Sequence, residues 1–178
     1  MTESAPKKIL FVGLDNGGKT SIVQSLKGMK NITSFNNIPP TKGKNLVQIK
    51  KLDSKFSIWD LGGQETFRED YLKNFDDYIF GCNKLIYVFD IQDTKRYELA
   101  IQYFEKIIDL TIKKNNANNI ELSVFLHKFD PDLERTDIID EQINSLKDKV
   151  KEKLDTTDFL YQIFKTTIYA IFEKIVID

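Results

Sequence analysis

Residues 7–20 read KKILFVGLDNGGKT, and this stretch decides the fold. It contains G-x-x-x-x-G-K-T as Gly13, Gly18, Lys19 and Thr20. An apolar run at 9–12 precedes it, and a helical pattern over about 19–29 follows it. Buried strand, glycine-rich turn and helix N-terminus are what a phosphate-binding loop requires. The glycines let the backbone bend so that several N–H groups point inward. The helix N-terminus adds free N–H groups and a dipole that favours an anion. In such a loop the segment Asp15, Asn16, Gly17, Gly18, Lys19, Thr20 and Ser21 wraps the phosphates. Lys19 reaches the β- and γ-phosphates, and the Thr20 hydroxyl holds Mg²⁺. The competing reading is a chance glycine-rich turn. The flanking strand and helix, and a second glycine motif at 60–65, weigh against it.

With 178 residues the chain is expected to be one domain, 1–178. The 41% hydrophobic content and 13 Phe suffice for a real core. Lys and Arg total 26 against 27 Asp and Glu, so no basic surplus argues for a nucleic-acid partner. The single cysteine, Cys82, excludes an intramolecular disulfide and a cysteine-rich metal site. A reducing, cytoplasmic setting is expected. No apolar run approaches the roughly 18 residues of a membrane span. Thr2 stands where myristoylation needs glycine, and KIVID at the end has no prenylation cysteine, so no intrinsic membrane anchor is expected.

The remaining pattern alternates strands and helices. Strands are expected at 8–13, 45–51, 55–60, 84–90, 121–128 and 158–165. Helices are expected at 68–80, 95–115, 138–154 and 168–177. Ile22, Val23 and Leu26 are expected to face the sheet from the first helix. Residues 30–44 are turn-rich and aperiodic, a long loop of the kind that carries function. Asp53 and Ser54 form a short turn between the second and third strands, which makes that pair an antiparallel hairpin. The expected architecture is α/β in three layers. Its six-stranded sheet is mostly parallel, with one antiparallel edge-side strand and the ligand at the carboxyl ends of the strands.

Three further motifs fall at those ends. Asp60-Leu61-Gly62-Gly63-Gln64-Glu65 closes the third strand. Asp60 can hold Mg²⁺ through water, the Gly63 N–H can meet a γ-phosphate, and Gln64 has the donor and acceptor needed to orient an attacking water. Thr41 follows Pro39-Pro40 in the long loop and could close over Mg²⁺ and γ-phosphate; its alternative is an ordinary loop threonine. His127-Lys128-Phe129-Asp130 closes the fifth strand. The Asp130 carboxylate can accept from guanine N1–H and N2–H, a donor pair adenine lacks, while the Lys128 stem lies over the base. His127, the only histidine, is expected to bridge this loop and the phosphate loop rather than be an exposed or core-edge histidine.

Together, GLDNGGKT, Thr41, DLGGQE and HKFD resemble the Ras superfamily of small GTPases, over nearly the whole chain. The first half, with GLDNGGKT and DLGGQE, is similar to the Arf family. In the second half, IFGCNKLIYVFDIQD (79–93), VFLHKFD (124–130) and TTIYAIFEK (166–174) resemble the Rag family, including His for the usual Asn. The resemblance implies a P-loop NTPase G domain that binds GTP and GDP with Mg²⁺. It also implies that Thr167-Ile168 form the last guanine-contacting loop. The Arf-type amphipathic N-terminal helix and the Rag-type C-terminal dimerisation domain have no counterpart in this sequence.

The function so implied is a switch that hydrolyses GTP slowly and signals through loops at about 30–44 and 61–70. Its partners would be GTPase-activating, exchange and effector proteins. Residues 30–44 contain no arginine, so none is supplied from that loop in cis. One rival is a GTP-binding scaffold or regulatory subunit with negligible hydrolysis, against which Gln64 stands. Another is a nucleotide kinase, which needs an arginine cluster; Arg68, Arg96 and Arg135 are scattered in sequence.

Overall fold

The computed structural model describes residues 5–28, 38–51, 54–113, 120–131, 133 and 136–168. In chain order these form β1 (Lys7–Val12), α1 (Lys19–Leu26), β2 (Lys44–Lys51), β3 (Ser54–Leu61), α2 (Glu65–Lys73), α3 (Phe75–Ile79) and β4 (Cys82–Asp90). A 3₁₀ turn at Thr94–Arg96 then leads into α4 (Tyr97–Lys113), β5 (Glu121–His127), α5 (Asp137–Asp155) and β6 (Tyr161–Thr166). The strands make one sheet in the order β2-β3-β1-β4-β5-β6. β2 runs antiparallel to β3 at one edge, and every other pairing is parallel.

Side chains alternate across a strand, so each parallel strand feeds two cores. On one face Leu10, Val12, Leu85, Tyr87, Phe89, Val124 and Leu126 pack with α2, α3, α4 and α5. On the other, Phe11, Ile58, Ile86 and Val88 pack with Ile22 and Val23 of α1. The result is three layers. Tyr87 places a phenol inside the first core and donates it to the Ala100 carbonyl at 2.7 Å, which satisfies the buried hydroxyl. Trp59, the one tryptophan, sits on β3 with Lys8 Nζ 3.6 Å and Lys44 Nζ 4.8 Å from its ring centre.

Register positions the site. Phe11 lies opposite Asp60, Asp90 opposite His127, and His127 opposite Thr166. The carboxyl ends of β1, β3, β4, β5 and β6 therefore form a row along one rim of the sheet.

The structure corrects several boundaries. The helix expected at 68–80 starts earlier, at Glu65, and is two helices. Asn74 breaks it in a non-helical conformation while its side-chain amide donates to Asp70 Oδ1 at 2.8 Å. Asparagine disfavours helix interiors for this reason. The last strand begins at Tyr161, not 158, because the Phe159 N–H is taken by the Thr157 hydroxyl and leaves the ladder. α1 ends at Leu26, which as its final residue is 53% exposed instead of facing the sheet; Gly28, at φ +89°, turns the chain away. The expected turn residue Asp53, most of the loop at 30–44 and the expected last helix beyond 168 lie outside the described residues.

Phe104 is fully buried and packs against Tyr87 and Phe89, at ring-centre distances of 5.0 and 5.6 Å. Truncating it removes a large apolar side chain and leaves a cavity. Phe104→Ala should cost about 3–5 kcal/mol in urea denaturation. A loss near zero would mean that this face of the sheet is not the main core.

Candidate functional site

β1 enters the rim at Val12, which is buried, and the chain turns through Gly13 to Gly18 into α1. Gly18 is the N-cap of α1 at φ +85°, and a Cβ there would lie 2.5 Å from the His127 ring. Only glycine meets both demands. The loop after β3 presses equally close. A Cβ on Gly63 would fall 2.0 Å from the Asp15 amide nitrogen. The two glycine motifs are thus in backbone contact. Gly62 also donates to the Gly43 carbonyl at 2.8 Å, and Tyr71 of α2 donates to the same oxygen at 2.7 Å.

These loops enclose a cleft of about 380 Å³. Asp15 to Ser21 form its floor, residues 38–41 one wall, and residues 61–64 the other, with Lys128 at one end. Lys19 is buried and donates to the carbonyls of Gly13 and Leu14, at 2.9 and 2.6 Å. Burial pushes its ammonium down to about 8, against the pull of Asp60 and Asp15. A desolvated cation of this kind gains from an anion placed beside it.

Thr20, Thr41 and Asp60 converge. The Thr20 hydroxyl donates to Asp60 Oδ2 at 2.6 Å, lies 2.8 Å from the Thr41 hydroxyl, and the Thr41 hydroxyl is 3.5 Å from the same carboxylate oxygen. Asp60 is fully buried, and its other oxygen, Oδ1, has no hydrogen-bond partner among the described residues. Burial raises its carboxyl above the usual range, offset by the hydrogen bond from Thr20. A buried carboxylate with a spare oxygen beside two hydroxyls is a hard-oxygen donor set. Among the described residues there is no cluster of three or more His, Cys, Asp or Glu of the sort transition metals require.

The loop after β5 stands at the other end of the cleft. His127 is buried behind Gly18, with Nδ1 2.9 Å from the Thr166 hydroxyl, so its ring does touch both the phosphate loop and β6. Lys128 takes φ +68° and pairs with Asp90 at 2.5 Å. Asp130 accepts from the Thr167 hydroxyl at 2.6 Å, while Ile168 packs on the α1-side core. Of the residues expected at the base end only Lys128 lines the cleft; His127, Asp130, Thr167 and Ile168 do not.

One residue of this site is not evident from sequence. Arg96, in the turn before α4, reaches the phosphate loop and donates to the Asp15 carboxylate at 2.7 Å and to its carbonyl at 3.2 Å. It also pairs with Asp93 at 2.5 Å. The only signal for it is position: it follows the carboxyl end of β4, the rim on which every motif falls. Arg68 lies elsewhere, over the Tyr103 ring at 5.3 Å, and Arg135 is outside the described residues.

The fold and rim geometry define a P-loop nucleotide-binding protein of three-layer α/β/α build. Comparison with known proteins narrows this. The Gtr1/RagA G protein conserved region matches residues 8–178. ADP-ribosylation factor-like protein 3 of Chlamydomonas reinhardtii is 36% identical over 123 residues, which is 69% of this chain and 63% of that relative's length. Among solved structures, the Arl6 BBS3 small GTPase of Trypanosoma brucei, with bound nucleotide analogue GppNp, superposes with a TM-score of 0.67. It shares 21% identity, over 92% of this chain and 87% of the other, and so supports the fold. The chain belongs to the Gtr1/RagA G-protein family of Ras-superfamily small GTPases, with Arf-like features.

Burial holds the His127 imidazole below its ordinary 6.5, with the Lys128 charge acting in the same sense. The unfolded chain therefore takes up the proton first as pH falls. The stability that neutral His127 sustains is complete above about pH 6.5 and is lost as the pH drops below it. His127→Asn should flatten thermal stability between pH 7 and pH 5 relative to wild type. Parallel slopes for the two proteins would show that His127 does not titrate in this range.

Proposed function

We propose that this protein is a guanine-nucleotide switch that works in the cytoplasm. It binds Mg·GTP, hydrolyses it slowly to GDP, and signals through the loops at about 30–44 and 61–70. The observation that carries this reading is the meeting of Thr20, Thr41 and Asp60 at 2.6–3.5 Å. It joins the phosphate loop, the loop before β2 and the end of β3 at a single point. Asp60 Oδ1, buried and without a partner among the described residues, is the atom that fits a cation there. Thr20 and Thr41, with Asp60, would hold Mg²⁺, which when bound neutralises charge on the phosphates.

The other residues divide the remaining work. The backbone from Asp15 to Ser21 wraps the phosphates, and Lys19 exchanges its two carbonyl partners for phosphate oxygens. The Gly63 N–H, held by contact with Asp15, faces the γ-phosphate. Gln64, the extended N-cap of α2 on the cleft wall, orients the attacking water. His127, Lys128, Asp130, Thr167 and Ile168 form the base end. Loss of the γ-phosphate would remove one partner of Thr41 and of Gly63 and so loosen both loops. No arginine lines the cleft among the described residues, and Arg96 is engaged by Asp15 and Asp93. This supports slow intrinsic turnover and a partner that supplies the missing charge. Exchange factors and effectors would meet the same two loops.

Nucleotide analysis of the purified protein and single-turnover GTP hydrolysis test the reading. Gln64→Leu should bind GTP normally and hydrolyse it about tenfold or more slowly, because Gln64 acts only on the way to the transition state. Equal single-turnover rates would favour the scaffold function instead.

Base choice is tested at Asp130. Asparagine turns one acceptor oxygen into a donor facing the guanine 2-amino group. The mismatch should cost about 2–4 kcal/mol, while xanthine, which has a carbonyl there, accepts from the new donor. Asp130→Asn should thus prefer XTP to GTP in competition titrations. A variant that still prefers GTP would remove HKFD from base reading.

A further inference from the structure

Gln92 lies two residues past the end of β4 and is exposed; it falls inside the stretch 79–93, with no role of its own evident from sequence. Its side-chain amide nitrogen donates to two acceptors of the base-end loop: the Lys128 carbonyl at 2.9 Å and Asp130 Oδ2 at 2.9 Å. Both partners are acceptors, so the amide orientation is determined, and both of its hydrogens are used. Gln92 is itself held, since its backbone N–H donates to Asp90 Oδ1 at 3.0 Å. The other oxygen of Asp90 takes Lys128 Nζ, and the neighbouring Ile91 N–H donates to the His127 carbonyl at 3.1 Å. The segment after β4 therefore grips the segment after β5 along its length.

Two consequences converge on Asp130. Lys128 adopts a left-handed backbone at φ +68°, which a lysine seldom takes, and Gln92 holds the carbonyl of that turn. The Asp130 carboxylate is gripped at both oxygens, Oδ2 by Gln92 and Oδ1 by the Thr167 hydroxyl at 2.6 Å. An ionised carboxylate has about four lone-pair sites. Among the described residues each oxygen takes one donor, which leaves one site on each for a ligand and fixes the plane in which those sites lie.

We propose that Gln92 is a positioning residue for base selection. It sets the plane of the Asp130 carboxylate and the turn at Lys128, and so governs discrimination between guanine and bases without its paired donors. This rests on the reading of Asp130 as the base reader. Glutamate at position 92 keeps the shape, supplies no donor and sets a second negative charge against Asp130. Methionine keeps the length and supplies neither donor nor charge.

The test is competition of GDP and IDP against a fluorescent GDP analogue on the Mg²⁺-loaded protein, with Gln92→Met, Gln92→Glu and Asp130→Ala beside wild type. Inosine keeps N1–H and lacks the 2-amino group, so the GDP-to-IDP affinity ratio reads the second carboxylate bond alone. The proposal expects the ratio to fall about tenfold in Gln92→Met, the scale of one charge-assisted hydrogen bond, and further in Gln92→Glu. A purely structural role would weaken both nucleotides equally and leave the ratio at its wild-type value, which would overturn the proposal. If Asp130→Ala collapses the ratio while both Gln92 variants keep it, Gln92 alone is excluded. A ratio that Asp130→Ala also leaves intact would overturn the base-reader assignment and this proposal with it. Gln92 is exposed, and melting curves of the variants establish that the comparison is between folded proteins.

Discussion

A carboxylate buried at the end of β3 is the constraint on which this rim depends. Asp60 is out of water, bonded through one oxygen to Thr20 and Thr41 and through the other to nothing described. An ionised group in that position is costly unless its surroundings are polar and organised. Here they are organised by three chain segments that the pairing of β1 and β2 with β3 brings to one point. The phosphate loop contributes Thr20, the loop before β2 contributes Thr41, and β3 contributes Asp60 itself. The backbone follows: Gly62 bonds Gly43, and Gly63 is pressed onto Asp15 with no room for a side chain.

The opposite end of the cleft is built differently. No buried unpartnered charge lies there among the described residues; it is a chain of paired polar groups. Asp90 holds Lys128, Gln92 holds Lys128 and Asp130, and Thr167 holds Asp130. His127 links the two ends by standing against Gly18. One end is thus poised to respond to a ligand, whereas the other is already set in shape. That division suits a site in which one part of a ligand changes during turnover and another must be recognised throughout.

Much of this was legible in the residues. The buried runs LIYVF and LSVFL, alternating with helical patterns, mark parallel strands, and Gly13, Gly18 and Lys19 mark the loop between the first strand and helix. Asp60 and Asp130 fall at the carboxyl ends of parallel strands, and Thr41 reaches the same rim because it precedes β2, which runs antiparallel to β3. What was not legible depends on long-range approach. Arg96 has no motif around it, and its partner Asp15 lies eighty-one residues away in sequence. Gln92 is an ordinary exposed side chain until the register of β4 against β5 is known. The break at Asn74 fails for a local reason: Phe75 and Ile79 continue the apolar period of Tyr71, so periodicity reads through a side-chain hydrogen bond that stops the helix.

Trp59 sits next to Asp60 in sequence, with the ammonium groups of Lys8 and Lys44, from two other strands, over its ring. An indole so placed senses its cations electrostatically. Lys44 is the first residue of β2, directly after the segment carrying Thr41 and Gly43. A displacement of that segment that reached Lys44 would take one cation off the ring face while the other, on β1, stayed. With no second tryptophan in the chain, its emission would report whether Lys44 stays over the ring, with no label needed.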